Sequence, residues 1–327
     1  MAKLVTIFGG SGFIGRHVAQ RMAKRGWRVR VAVRRPNEAL FVKPYGAVGQ
    51  VEPVLANVRD DASVRAAIQG ADAVVSCVSV TVQHGKQTFG TIQHEGTARI
   101  ARIAAEEGAG ALIHISAIGA DAKSDSVYAQ TKAAGETAIQ EMFPNAVILR
   151  PSIIFGPGDG FFNQFGSMAR MMPILPIFGA ETRFQPVYVG NVAEAAEMGV
   201  LGSAAPGIYE LGGPEVRTFR ELMQELMQVI QRRRLILNLP FWVGNVMGGA
   251  LNFAQALTLG LFKNTLVTPD QIKLLKIDNV ASAHLPGLAE LGIEPVAMEA
   301  ILPEYLWPYR PSGQYAEIKD SARDMRT

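Results

Sequence analysis

Glycines at positions 9, 12 and 15 of the run Phe8-Gly9-Gly10-Ser11-Gly12-Phe13-Ile14-Gly15 leave a turn of bare backbone between an apolar strand and a helical pattern. A turn without Cβ atoms admits a pyrophosphate, and the unpaired N–H groups and positive dipole end of a helix beginning near Phe13 face its charges. Ile14, Val18 and Met22 carry that helix on to Gly26, so the glycines sit where a dinucleotide-binding turn needs them. A glycine-rich turn with no ligand has the same composition but not this strand-before, helix-after context. Farther along, Tyr128 and Lys132 stand four residues apart, on one face of a helix. Beside a nicotinamide, the ammonium would lower the phenol's pKa and grip the ribose, letting Tyr128 pass a proton as hydride moves.

Such groups work only if a scaffold brings them together. Apolar, β-branched runs at Leu4–Phe8, Arg28–Val33, 51–55, 73–78, 111–116 and 147–149 alternate with helical patterns, the longest at 88–107 and 126–143. Strands alternating with helices, without hairpin turns, predict an α/β fold: a doubly wound parallel sheet of the Rossmann kind. The loops after Phe8, Val33, Leu55, Val78, Ser116 and Arg150 then open on one crevice. Ser11, Arg34, Asn57, Ser76, Tyr128 and Lys132 become neighbours there. An acid at the tip of the second strand holds the 2′-hydroxyl of NAD, whereas an arginine accommodates the 2′-phosphate of NADP. This chain has Arg34-Arg35 at that tip, which points to NADPH; the alternative is that both merely solvate a loop. Asn57 and Val58 are placed to meet the adenine edge, and Asp60 and Asp61 suit the start of the next helix.

The bulk properties agree with an ordinary globular protein. The 327 residues are 48% hydrophobic and 19% charged, enough to bury a substantial core. A formal charge of +3 is too small for a nucleic-acid footprint, so no nucleic-acid partner is expected. One cysteine, Cys77, rules out an internal disulfide or a cysteine-rich metal site and fits a reducing cytosol; no metal site is expected. The N-terminal apolar run is only strand-length, so no signal peptide is read. Residues 1–150 form the dinucleotide-binding domain, with returns to the sheet expected near 185–192 and 207–211. Proline and glycine punctuation from Pro151 onward makes 151–327 a smaller lobe on the substrate or partner side.

The glycine turn, Tyr128-Ala129-Gln130-Thr131-Lys132, and Arg150-Pro151-Ser152-Ile153-Ile154-Phe155-Gly156-Pro157-Gly158-Asp159 resemble, over roughly residues 1–225, the extended short-chain dehydrogenase/reductases. The resemblance implies a cofactor site made by Gly9, Gly12, Phe13, Ile14, Gly15, Arg34, Arg35, Asn57, Val58, Ser76, Ser116, Tyr128, Lys132, Pro151 and Ile153, with Tyr128 and Lys132 as the catalytic pair. It also implies a serine or threonine after the fifth strand to bind the substrate oxygen. Ala117 and Ile118 stand there instead, and Ser116 comes one position early, so the triad is incomplete and Tyr128 and Lys132 are read as vestigial. Asn57 likewise replaces the acid usual at the adenine-contacting position.

A narrower resemblance covers these departures. Tyr45-Gly46-Ala47-Val48-Gly49-Gln50, His114-Ile115-Ser116-Ala117-Ile118-Gly119-Ala120 and Tyr305-Leu306-Trp307-Pro308-Tyr309-Arg310-Pro311 are similar to the nucleotide-binding accessory subunits of respiratory complex I, in their bacterial form. That similarity implies a tightly held NADPH without independent turnover. It places the chain against other complex I subunits near the quinone site, peripheral to the cytoplasmic side of the inner (plasma) membrane. The competing expectation is a free-standing NADP-dependent reductase or epimerase on a small carbonyl or sugar-nucleotide substrate.

From Leu235 to Phe262 no residue is charged, and Arg232-Arg233-Arg234 precede the stretch. Its length permits a membrane span, but Asn238, Pro240, Asn245, Asn252, Gln255 and four glycines argue against one. Read as a helix, Val243, Val246, Ala250, Phe253, Leu257 and Leu261 form one stripe with the asparagines and glycines largely opposite. Such a helix would lie flat on a membrane surface or partner, the arginines meeting anionic headgroups, or would pack as core of the lobe. Met168, Met171 and Met172, at helical spacing, are read as lobe packing.

Overall fold

The computed structural model describes residues 2–244, 246, 248, 249 and 268–315. The chain begins with β1 (Leu4–Phe8), α1 (Phe13–Lys24), β2 (Arg28–Val33), a 3-10 segment over Pro36–Tyr45, β3 (Val51–Leu55), α2 (Asp61–Ile68) and β4 (Ala73–Ser76). A π-helical turn, Gly90–His94, leads into α3 (Glu95–Glu106), followed by β5 (Ala111–Ile115), α4 (Val127–Met142) and β6 (Val147–Pro151). Then come β7 (Ile154–Phe155), α5 (Phe161–Met171), β8 (Ile174–Phe178), β9 (Arg183–Phe184), β10 (Val187–Tyr188), α6 (Val189–Leu201) and β11 (Gly207–Leu211). The lobe continues with β12 (Arg217–Thr218), α7 (Phe219–Val229), β13 (Leu235–Leu239) and the helices Pro269–Leu274 and Met298–Leu306.

Seven parallel strands make one sheet in the order β11-β6-β5-β4-β1-β2-β3, which is the doubly wound α/β arrangement expected. Alternation along β1 shows why both faces need a helical cover. Val5 and Ile7 join the core beneath α1 and α6, with Val18, Met22 and Val192, while Phe8 joins the core beneath α2, α3 and α4, with Ile68, Ile100 and Ile139. Strand order reverses between β1 and β4, so the crevice at the carboxyl ends opens there.

A third core lies in the lobe, built from Phe155 and Phe162, Leu175, Phe219 and Leu222, and Leu302 and Leu306. The segment near 185–192 differs from expectation. Its strand β10 pairs with β7 in a separate two-stranded ladder, and only α6, starting at Val189, returns to the face of the main sheet. β11 does enter the main sheet, beside β6.

The uncharged stretch opens on a strand, ahead of the helical stripe expected from Val243. Leu235–Leu239 is a strand paired in parallel with β8, Leu235 opposite Ile174 and Leu239 opposite Phe178. β13 is the strand that pairs with β8 among the described residues, and it satisfies one row of the main-chain groups on β8. Residues 241–244 are helical; residues 250–262 of the expected stripe lie outside the described residues.

Candidate functional site

The phosphate cradle forms where β1 meets α1. Gly9 has φ +73°, a left-handed conformation that disfavours a side chain, and a Cβ on Gly15 would come within 2.6 Å of Gly10 Cα. Gly12 caps α1 without a side-chain hydrogen bond, and the first turn holds no acid, so the N–H groups of Phe13, Ile14 and Gly15 remain free for an anion. Behind the turn, Arg16 Nη2 donates to the carbonyls of Pro157 (3.0 Å) and Gly158 (3.3 Å), tying the glycine turn to the Gly156–Asp159 stretch.

At the tip of β2 the two arginines part company. Arg35 is paired with Glu38 at 2.9 Å, whereas Arg34 is exposed and has no partner among the described residues. Arg34 thus stands at the strand tip with its charge uncompensated among the described residues. Asn57 Oδ1 accepts the main-chain N–H of Arg59 at 3.2 Å, and Val58 is buried against Gly96. Ser76 is also buried; its hydroxyl has no partner, and it stands in register beside His114, whose ring nitrogens are equally unpartnered.

Tyr128 and Lys132 do share one face of α4, with Nζ 6.0 Å from the phenol ring centre. Lys132 is 2% exposed and donates to Ile115 O at 3.1 Å, leaving two of its three N–H donors unused. Burial lowers its pKa to about 8, with the Glu136 carboxylate opposing the shift. The expected lowering of the Tyr128 pKa is not found. Desolvation raises it, a hydrogen bond with Ser79 only partly opposes this, and the ammonium sits above the ring instead of at the oxygen. The π turn holds this corner in place, because Gln93 within it donates to Val80 O at 2.7 Å and accepts from Thr131 Oγ1 on α4 at 3.0 Å.

Ser116 is buried and turned into a polar network. Its hydroxyl donates to the buried carboxylate of Glu136, which also receives Arg150 Nη2 at 2.5 Å; Arg150 Nη1 reaches Glu210 at 3.4 Å. These four side chains form a buried ionic network behind the sheet ends, and neither Glu136 nor Glu210 stood out in the sequence. Glu136 continues the Tyr128, Lys132 series at four-residue steps, and that spacing was the available signal. Cys77, beside them, has its thiol pushed up to about 12 by burial and is no nucleophile.

Beyond Tyr128 the crevice widens into a cavity of about 600 Å³. Ala117, Ile118, Gly119, Tyr128, Pro151 and Ile153 line its sheet side, so Pro151 and Ile153 do reach the crevice. The far wall comes from α5, β8, α7 and the helix Pro269–Leu274. That short helix also supplies Asp270, whose carboxylate accepts Ser126 Oγ at 2.8 Å and the N–H groups of Val127 and Tyr128 at the start of α4. Two stretches far apart in sequence close the lobe from behind. Tyr305 Oη donates to Asp159, and Tyr309 Oη donates to Asn163 Oδ1 at 2.9 Å. Gln50 of the Tyr45–Gln50 stretch has a structural task, donating to the carbonyls of Ala23 and Trp27.

On the lobe's outer side, apolar residues face solvent. Trp242 and Val246, four apart, are both about two-thirds exposed, whereas Gly244 packs against Phe178 and Ile272 and Gly248 against Thr268 and Pro269. The small residues therefore face the protein and the large ones face out. Leu235 and Leu237 on β13 and Met171 at the end of α5 are exposed too; Met168 alone of the three methionines packs on the lobe core. Among the described residues no helix is long and apolar enough to cross a membrane, and no His, Cys, Asp or Glu cluster has metal-binding geometry.

Known proteins match this architecture in both halves. Residues 9–158 fit a family described as NAD(P)H-binding, and residues 120–203 the 3-beta hydroxysteroid dehydrogenase/isomerase family. The first agrees with the glycine cradle, so the chain carries an NAD(P)-binding domain. NADH dehydrogenase (ubiquinone) 1 alpha subcomplex subunit 9, mitochondrial, from Arabidopsis thaliana, is 31% identical over 317 residues, covering 95% of this chain and 79% of that one. Ceramide reductase from Caulobacter vibrioides is 30% identical over 241 residues, 72% of this chain and 74% of the relative. A dTDP-glucose 4,6-dehydratase from Streptomyces venezuelae, crystallised with NAD bound, superposes with a TM-score of 0.71 at 19% identity over 97% of this chain and 98% of its own, a likeness of fold. The chain belongs to the extended short-chain dehydrogenase/reductase family, in company with the alpha subcomplex subunit 9 proteins of the mitochondrial NADH dehydrogenase.

Proposed function

We propose that this chain is an NADPH-binding accessory subunit of a membrane-associated respiratory complex I, holding its nucleotide as a structural element. The observation that carries the reading is the diversion of Ser116 into the Glu136 network, which leaves Ala117 and Ile118 where a substrate oxygen would need a donor. In this reading the α1 N-terminus takes the pyrophosphate, Arg34 the 2′-phosphate, and the two unused N–H donors of Lys132 the nicotinamide ribose. Bound NADPH would bring hydride-donating capacity, and Tyr128 would be its nearest proton source.

Similarity to the Arabidopsis subunit over nearly the whole chain supports a partner role. The outward Trp242 and Val246, beside Leu235, Leu237 and the arginines 232–234, suit a seat on other subunits and on anionic headgroups at the membrane surface. A second reading, a working NADP-dependent reductase, is favoured by the preserved Tyr128 and Lys132 pair and by the likeness to a ceramide reductase.

Purifying the tagged native chain from detergent-solubilised membranes tests the choice. Co-elution with NADH:quinone oxidoreductase activity, with one NADPH per chain that survives gel filtration, supports the accessory role. A free protein whose NADPH oxidation disappears in Tyr128→Phe overturns it.

A further inference from the structure

The 600 Å³ cavity beyond Tyr128 is far larger than the gaps left in packed interiors and lies within the range of small-molecule sites. Its composition narrows what it could hold. Phe161, Phe165, Phe178 and Phe219 furnish aromatic walls, and Met168 and Met172 add flexible, polarizable ones. Among the described lining residues there is no Arg, Lys or His; Asp270 is engaged at the start of α4 and Asp278 is paired with Arg183. A sugar nucleotide would carry its pyrophosphate against a described lining that offers no cation of its own, at a large desolvation cost.

From these features we infer that the cavity binds the aliphatic chain of a neutral lipid, with the lipid's keto or hydroxyl oxygen at the Tyr128 end. The inference rests on the assignment of Tyr128 and Lys132 to the nicotinamide end of the site. Tyr128 is the one lining side chain on the Lys132 face of α4, and its phenol serves a neutral oxygen as donor or acceptor. A route for the chain is also present. Met172 and Ile277 line the cavity and are 37% and 59% exposed, so the apolar wall is continuous with the outer surface. Exposed Met171, Ile174 and Leu235 adjoin that rim through the β8–β13 pairing, and arginines 232–234 follow beside them. An amphiphile at an anionic bilayer would meet this apolar, arginine-flanked rim before the cavity itself.

Titrating the full-length chain with 2-octanone, 2-decanone and 2-dodecanone by isothermal calorimetry tests the proposal, with NADPH binding followed separately by its fluorescence. Affinity should rise about tenfold for each two carbons added, as expected for burial of methylene groups, and UDP-glucose should give no heat. Met168→Trp, which fills the cavity, should weaken 2-dodecanone at least tenfold with NADPH binding retained; Met172→Trp at the rim serves if the first variant does not fold. Affinity independent of chain length, saturable binding of UDP-glucose, or unchanged 2-dodecanone binding in a folded variant overturns the proposal. Ketone binding without NADPH binding would leave the lipid site standing and remove the NADPH reading; the converse separates them the other way.

Discussion

Asp270 accepts the main-chain N–H of Tyr128 at 3.2 Å across 142 residues of sequence. The same carboxylate accepts Val127 N at 2.9 Å and Ser126 Oγ at 2.8 Å, so a helix of the lobe supplies the anion at the positive end of the helix that bears Tyr128 and Lys132. Asp270→Ala removes that cap. It should lower stability by about 1 kcal/mol, within the range for lost caps, read as an earlier urea midpoint, while NADPH stays bound because the α1 cradle is untouched.

Arg34 and Arg35 are adjacent but not equivalent. Arg34→Glu should weaken NADPH binding tenfold or more and leave NADH binding within about threefold, since one charge–phosphate contact carries roughly 1.5–3 kcal/mol. Arg35→Glu, which removes a partner of Glu38, should change neither by as much. Fluorescence titration of both nucleotides checks this, and equal losses for NADPH and NADH would remove the 2′-phosphate assignment.

Tyr128→Phe should leave NADPH retention and assembly with partners unchanged under the accessory reading. Lys132→Met should weaken NADPH about tenfold, because a buried ammonium with two free donors is replaced by a thioether that offers none. Gel filtration of the loaded protein, with absorbance read at the nicotinamide band, distinguishes the two variants.

The Ser116–Glu136–Arg150–Glu210 network predicts a large structural penalty. Glu136→Gln leaves the half-buried Arg150 guanidinium with a single, longer carboxylate contact at 3.4 Å. Loss of a buried partner of this kind costs about 3 kcal/mol. Urea unfolding at pH 7 should show it, and a loss below about 1 kcal/mol would place the network among incidental surface pairs.

His114 makes stability depend on pH. Burial, reinforced by the Lys132 charge, holds its folded pKa well below 6.5. As pH falls below 6.5 the unfolded chain therefore takes up a proton that the folded chain refuses, and stability declines with falling pH. Desolvation likewise lowers His17, to about 4, so its contribution is lost between pH 6.5 and 4. His114→Leu, which also removes two unpartnered ring nitrogens, should flatten this acid limb and keep or raise stability at pH 7. Urea midpoints at pH 7 and pH 5 measure the difference.

The sheet was legible because its strands are apolar runs rich in valine and isoleucine, set off by turn residues. Leu4–Phe8 and Arg28–Val33 have the bounds their residues suggest. The cradle was legible because its glycines are local to one another. β13 was not. Leu235–Leu239 shows no alternation that separates strand from helix, and its state is decided by the open edge of β8 sixty residues earlier. Asp270 over Tyr128 and Tyr305 over Asp159 escaped for the same reason, each contact joining groups whose sequence neighbourhoods carry no trace of the other. Ser116 was noticed as displaced, but its capture by Glu136 depends on how α4 lies across β5, which spacing alone does not fix.

The contact between Tyr305 and Asp159 has a consequence for the order in which the protein is made. The seven-stranded sheet has all its strands once residue 211 has left the ribosome, although one of its two cores still waits for Leu288, Leu291 and Ile293. The lobe waits longer. Phe155, Phe162 and Phe219 wait for Leu302 and Leu306, and Asp159 waits for its phenol, until almost the last described residues are synthesised. During that interval the assembled strands carry an open aromatic lobe, a nascent chain whose most adhesive surface is the last to be covered.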